Sequence, residues 1–236
     1  MLASTFATQF VRHVKLVSEV AGLPVAHLHF DTRPDPTELL RYYRHFTKPH
    51  PRYKIIRNKT LGAALIDLRS FSTHAEYLDS VQGKGNGAPQ SRKARSRGYQ
   101  MRQIDRNEFV DEIHAINMSS DYRQGRLMDA AYREKVTQYE HKPHVLYLGM
   151  FNKDGGLVAY CNVGMFGNFA ATEQVLGYKT NDGVMYLLFT EIVGLLLERR
   201  QHVYFMYDTV FGAQEGLRDF KRRLGFRPYR ARYTID

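Results

Sequence analysis

The chain has 236 residues, the size of one large domain or one and a half at about 150 residues each. Its 43% apolar, 25% charged and 13% aromatic content excludes a disordered or fibrous chain and allows a core of useful size. Thirty-four Lys and Arg against 24 Asp and Glu give a net charge of +10, which draws phosphates and other polyanions to the surface.

Cys161 stands alone, so no intrachain disulfide can form and a reducing cytoplasm suits the chain. Met1 to Val11 lacks the uninterrupted apolar run of a signal peptide. The most apolar stretch, Val184 to Leu197, is interrupted by Glu191 and is too short to cross a bilayer. The expectation is a cytoplasmic protein without membrane insertion.

Phe10, Val14, Val17 and Ala21 stand at helical spacing, and Gly22 to Pro24 stops that helix. Val25 to Phe30 reads as a strand, and Asp35-Pro36 opens a helix whose face carries Leu39, Leu40, Tyr43 and Phe46. A loop over Lys48 to Pro51 precedes strands at Tyr53 to Ile56 and Leu61 to Leu68. Ser72 or Thr73 caps the next helix, through Tyr77, Leu78 and Val81, which ends in the glycine-rich loop Gln82 to Gly87. No apolar strand precedes these glycines, so they read as a flexible loop before they read as a phosphate cradle.

Arg92, Lys93, Arg95 and Arg97 follow on one short helix. They read either as a solvated face or as a patch for the phosphates of a substrate, CoA or RNA. Tyr99 to Ile104 alternates as a strand; Asp105 starts a helix that buries Phe109, Ile113 and Ile116; and another helix spans Leu127 to Tyr139. Val145 to Phe151, Leu157 to Phe166 and Phe169 to Tyr178, separated by the turns at Asn152 to Gly156 and Gly167-Asn168, form an antiparallel meander. Val184 to Arg199 is apolar almost all round, as in a helix covered on both sides. A strand at Val203 to Tyr207, a helix at Gln214 to Arg223 and a strand at Pro228 to Ile235 close the chain.

This order of elements, and the segment Phe220-Lys-Arg-Arg-Leu-Gly-Phe226-Arg-Pro with its Gly-Phe turn, resembles the GNAT acyltransferases over about residues 98–236. Residues 71–98, from Phe-Ser-Thr-His-Ala-Glu-Tyr-Leu to Ser91-Arg-Lys-Ala-Arg-Ser-Arg-Gly98, resemble the FemAB-like branch of that superfamily. The resemblance implies an α+β GNAT fold, with a mixed, mostly antiparallel central sheet flanked by helices. The division it suggests is an N-terminal extension or partial subdomain over 1–70, a basic helical connector over 71–98 and a GNAT-like acyltransferase domain over 99–236. It further implies an acyl-CoA or acetyl-CoA donor bound where the fourth and fifth strands part, with its pyrophosphate on the next helix N-terminus. Unpaired amides and the positive dipole end favour an anion there. In this sequence that place is Lys179, Thr180, Asn181, Asp182, Gly183 and Val184. Gly183 would allow close approach, Lys179 would add charge, and Thr180, Asn181 or Asp182 would cap the helix.

Amide formation needs a neutral amine, a donor for the oxyanion and a proton for the leaving group. Glu173, in the middle of the predicted fourth strand, is the first candidate base, against an outward-facing solvent role; Asp208, just past the fifth strand, is the second, against a role as the cap of the next turn. Four residues before Gly225, where many GNAT enzymes place a tyrosine acid, this chain has Lys221. Phe220-Lys221 matches a Phe-Lys pair of the FemAB-like aminoacyl transferases, whose lysine stabilises the tetrahedral intermediate; surface charge is the other reading. His114 and Asn117 lie on the helix whose counterpart lines the acceptor pocket, and either read the substrate or fill polar gaps in the core. The histidine pairs lack ligands at metal spacing, so no metal is expected, and Cys161 reads as a small core residue. Three functions compete: acyl transfer from acyl-CoA to a primary amine of a small molecule or peptide, aminoacyl transfer from tRNA to an amine, and a silent RNA-binding module using Arg92 to Arg102.

Overall fold

The computed structural model describes residues 22–50, 56–123 and 126–236. The expected helix over 10–20 and nearly all of the strand Tyr53 to Ile56 lie outside these residues.

Local sequence sets the element ends. Strand β1 (Val25–Phe30) leads to helix α1 (Pro36–Thr47), where proline takes the first turn and the Asp35 carboxylate accepts the Glu38 amide at 3.1 Å. After strand β2 (Leu61–Asp67), helix α2 (His74–Ser80) is capped by Thr73, which accepts the Glu76 amide at 3.2 Å, and helix α3 (Gly87–Ser96) follows. Strand β3 (Gln100–Gln103) precedes a 3-10 turn over Arg106–Phe109 and helix α4 (Val110–Met118). Ile113 and Ile116 are buried under α4, whereas Phe109 is only partly covered.

The helix expected over Leu127 to Tyr139 is a single turn, α5 (Ala130–Arg133). Before it, strands β4 (Tyr122–Arg123) and β5 (Arg126–Leu127) pair as a two-stranded ribbon. Only Met128 of this segment is buried, and residues 133–138 are exposed, so no apolar stripe holds a longer helix.

The meander forms as expected: β6 (Val145–Phe151), β7 (Leu157–Met165) and β8 (Phe169–Gly177). Helix α6 (Val184–Arg199), strand β9 (Tyr204–Thr209), helix α7 (Glu215–Arg223) and strand β10 (Arg227–Ile235) complete the chain.

Eight strands make one sheet in the order β1-β10-β2-β9-β8-β7-β6-β3. The pairs β1/β10 and β8/β9 are parallel and the others antiparallel. Because β2 sits between β9 and β10, the early strands build the same sheet as the late ones. Successive strand residues face opposite sides. One side packs on α2, α3, α6 and α7 through Leu148, Val163, Phe189, Ile192, Phe205 and Phe226. The other carries an aromatic cluster of Phe30, Phe46, Phe166 and Phe169 under α1, and a smaller group of Ile113, Ile116, Tyr160 and Leu176 under α4. Helix α6 is apolar all round because it lies beneath α3 and on the sheet, with ten of its residues buried.

Two features of β8 position the site. Asn162 of β7 faces Gln174 while Val163 faces Thr172, so Glu173 is the extra residue of a β-bulge. The bulge also reverses the alternation, which turns Val175 to the α6 side and Leu176 to the α4 side. Strand β8 then pairs with β9 only at Phe169, Ala170 and Ala171, opposite Tyr204, Phe205 and Met206. Beyond these rungs the two parallel strands part.

Candidate active site

The parting of β8 and β9 opens a cleft of about 460 Å³ on the α1 side of the sheet, roomy enough for a small organic group. Its floor is Ala171 to Val175 of β8 and Met206 to Asp208 of β9, and its walls are Tyr42, His45, Phe46 and Lys59 on one side and Asp129 and Tyr132 on the other.

Glu173 lies on this floor. Its Oε1 is buried with no hydrogen-bond partner among the described residues, seated over Gly164, where an added Cβ would come within 2.7 Å of it. Burial raises the carboxyl above its usual range, while the nearby Tyr42 hydroxyl, Lys142 and Arg106 act in the opposite direction. The Tyr42 phenol is itself pushed up, first by burial and then by Glu173, so it stays protonated beside the carboxylate. A carboxylate so placed can take a proton from an ammonium group.

Asp208 faces Glu173's cleft from the end of β9, in the left-handed region at φ 52°. Its carboxylate is paired with Lys59. Partial burial raises its pKa, but the charges of Lys59 and Lys221 outweigh that and hold it below the ordinary carboxylate range. An acid kept ionised by two lysines is a poorer base than Glu173 and a better electrostatic anchor.

Lys221 does not line the cleft but stands one side chain behind it. It is 1% exposed; its Nζ donates to the Thr209 carbonyl at 2.8 Å and lies 4.5 Å from the centre of the Tyr207 ring, which does line the cleft. Burial lowers its pKa to about 8, against the opposing pull of Asp208, with Lys59 adding to the drop. The surface-charge reading of this lysine is therefore corrected: Lys221 is the buried residue of α7. Phe220 beside it packs on Tyr186 and Phe189 of α6, with ring centres 4.7 and 5.5 Å apart, and does not reach the cleft.

The Lys179 to Val184 loop lies elsewhere, against α3. Helix α6 opens on Gly183, at φ 81° and without a side-chain cap, which corrects the expected capping by Thr180, Asn181 or Asp182. A Cβ on Gly183 would meet the Gln90 carbonyl at 2.3 Å, so this glycine serves the approach of α3. The Asp182 carboxylate pairs with Arg97 and accepts the Tyr99 hydroxyl at 2.9 Å, and Lys93 donates to the Asn181 carbonyl at 2.5 Å. Lys179 and Thr180 are exposed on the same loop.

His114 and Asn117 also stand apart from the cleft. Asn117 is buried under α4 and accepts the Tyr160 hydroxyl at 2.7 Å, which makes it a core polar group. The His114 Nδ1 is buried without a hydrogen-bond partner among the described residues. Cys161 is fully buried and its thiol is pushed up by that burial, which fits a packing role.

Lys59 and Tyr42 are absent from the sequence reading. Neither sits in a motif, since a loop and a helix far up the chain bring them to the cleft. Nothing local marks them.

No family profile matches the chain, and no curated protein sequence matches it. Among solved structures, the crystal structure of FemX superposes with a TM-score of 0.56 at 10% identity, covering 83% of this chain and 66% of that one. The fold is shared with FemX and is the α+β GNAT fold that the resemblance implied. The FemAB-like resemblance holds at the level of fold. L-PGS from Bacillus licheniformis matches with a TM-score of 0.46 at 15% identity over 72% of this chain and 58% of that one. A GCN5-related N-acetyltransferase from Kribbella flavida matches at 0.37 and 16%, over 56% and 47%. The chain thus spans about two thirds of the length of FemX and less of the other two.

Proposed function

We propose that the cleft transfers an acyl group, of the aminoacyl type, from an activated ester to a primary amine. The observation that carries the reading is the meeting of Glu173, Asp208 and the Lys221-backed end of β9 where the parallel strands part.

In this reading the acceptor ammonium gives its proton to Glu173, a carboxyl that burial raises above its usual range. The freed amine attacks the ester carbonyl; the C–N bond forms, and the carbonyl electron pair moves onto oxygen. Positive charge from Lys221, with backbone amides freed at the strand parting, offsets that oxyanion. The C–O bond then breaks, the electron pair returns to re-form the carbonyl, the leaving alkoxide takes up the proton Glu173 had accepted, and the restored carboxylate takes the second proton from the cationic amide nitrogen and passes it to solvent. The products are an amide and an alcohol.

An ester of the aminoacyl-tRNA kind is favoured over acyl-CoA because Asp182, clasped by Arg97 and Tyr99, stands beside the helix end that a pyrophosphate would need. A carboxylate there repels phosphate. The acyl-CoA reading draws on one observation of its own, that α6 begins without a side-chain cap. Thermal shift with acetyl-CoA, longer acyl-CoAs and an aminoacylated RNA separates them. Stabilisation by the RNA alone supports the ester reading, and stabilisation by CoA alone replaces it with the thioester one. A Glu173→Gln variant that forms amide at the wild-type rate overturns both.

A further inference from the structure

Three carboxylates, Glu173, Asp208 and Asp129, line the cleft against one lysine, Lys59, although the chain as a whole carries a net charge of +10. Two of the three have a place in the transfer reading. Asp208 is paired with Lys59, and Glu173, whose Oε1 is buried with no hydrogen-bond partner among the described residues, is the base. Asp129 has no part in that chemistry.

The fold nonetheless brings Asp129 to the cleft by a defined route. The Met128 amide donates to the Asp121 carbonyl at 2.8 Å at the foot of the β4/β5 ribbon, and the Met128 side chain is buried. That anchor sets Asp129 and, one helical turn on, Tyr132 on one wall of the cleft. Asp129 takes the position before the first turn of α5, yet its carboxylate makes no capping hydrogen bond there and lines the cleft instead.

Much of the remaining lining is aromatic. The rings of Tyr42 and Phe166 have centres 5.0 Å apart and those of Phe46 and Phe166 5.8 Å, and Tyr207 adds another. Aromatic faces attract ammonium groups and also pack against alkyl chains. Carboxylates set among rings therefore suit a ligand with two positive ends and an apolar middle, and they repel an amine that carries a carboxylate or phosphate. A cleft of about 460 Å³ holds such a chain when it is short.

We infer that the acceptor is a short aliphatic α,ω-diamine, one amine of which meets Glu173 while Asp129 holds the other as an ammonium. Asp129 is thus a specificity-determining residue. The reacting amine becomes the amide nitrogen, the second ammonium keeps its proton, and the product is a monoamide. The inference rests on the transfer reading for which amine is acylated, whereas the binding is tested without turnover.

The test is calorimetric titration of the full chain with 1,4-diaminobutane and with butylamine. The diamine is expected to bind about fivefold tighter or more, through one additional ion pair beside aromatic faces. That advantage is expected to shrink as salt rises from about 50 to about 300 mM. Asp129→Asn is expected to bring the two amines within about twofold of each other and to leave butylamine affinity unchanged. Asp121→Asn removes the same charge from the same segment, but from a surface carboxylate paired with Arg133, and is expected to keep the diamine advantage. In single-turnover transfer with both amines present, the diamine is expected to be acylated ahead of butylamine, and Asp129→Asn to abolish that preference.

Equal affinity of the two amines for the wild type overturns the inference, as does a diamine advantage that survives Asp129→Asn or is lost as fully in Asp121→Asn. Absence of diamine binding up to about 10 mM overturns it too. So does a diamine that inhibits transfer without being acylated. The two readings fail separately. Glu173→Gln that keeps the Asp129-dependent diamine preference but transfers at the wild-type rate sinks the transfer chemistry and leaves the diamine site. Glu173→Gln that stops transfer, while the wild type binds both amines alike, sinks the diamine inference alone.

Discussion

Helix α3 and the α1–β2 corner are both rich in Arg and Lys, yet the fold uses them differently. The α3 cations clasp the loop before α6, the side chain of Glu191 and that of Gln82. They are internal fastenings. The corner cations Arg44, Lys48 and Arg57 have no such partner among the described residues and are exposed to solvent. The lesson is that density of charge in a sequence does not locate a polyanion site. What matters is whether the folded chain supplies a carboxylate or carbonyl within reach.

A third kind of cation sets the scale of the contrast. Lys221 is neither a fastening nor an exposed cation but a buried charge on an aromatic face. Lys221→Ala is expected to lower turnover by about 100-fold or more with little change in RNA affinity, as loss of the positive charge behind the oxyanion does. Single-turnover transfer and anisotropy on the same preparation check it.

Lys221 also links stability to pH. Its pKa is about 8 in the folded chain against the ordinary 10.5, so between those values the unfolded chain binds more protons and stability rises with pH. Relative to Lys221→Met, the wild type is expected to gain stability from pH 8 to 10.5. Urea melts across that window test it; a flat difference contradicts the buried ammonium.

Gly164→Ala puts a methyl group within 2.7 Å of Glu173 Oε1 and 2.4 Å of the Phe166 ring. Overpacking of this kind costs about 1–3 kcal/mol and displaces the carboxylate. Both a lower melting temperature and a several-fold lower rate are expected, and an unchanged rate shows that the carboxylate position is not critical.

The smallest effects separate the two basic regions directly. Asp182→Ala leaves Arg97 and Tyr99 unpaired on a half-exposed surface, and a loss of about 0.5–1 kcal/mol is expected in thermal or urea unfolding. Reversing charge at Arg44, Lys48 and Arg57 is expected to change stability by no more than about 0.5 kcal/mol at each position, because no fold contact is lost. If the corner variant unfolds early and Asp182→Ala does not, the assignment of held and unheld cations is inverted.

Much of the fold was legible because periodicity survives in single segments. The meander, the all-apolar α6 and the Phe220 to Pro228 turn all stand where the pattern puts them. The Leu127 to Tyr139 segment misled because helix formers without a buried stripe do not make a lasting helix. In the site, Glu173 and Lys221 were marked by their surroundings in the sequence, but the bulge that aims Glu173 is a matter of register with β7, which no single strand encodes. Lys59 and Tyr42 were invisible for the same reason: their role exists only once α1 and β2 are folded over β8 and β9. Asp182 reads locally as a candidate cap of α6, because the partner that holds it, Arg97, lies 85 residues earlier.

The central claim is that Glu173 takes the proton of the attacking amine in the β8/β9 cleft. The pH dependence of single-turnover amide formation, wild type against Glu173→Gln, tests it most directly. The account predicts a wild-type rate that climbs through a carboxyl pKa above the usual range, and a Gln variant slower by about 100-fold or more in which that climb is gone. A variant that keeps both the rate and the ascending limb contradicts it.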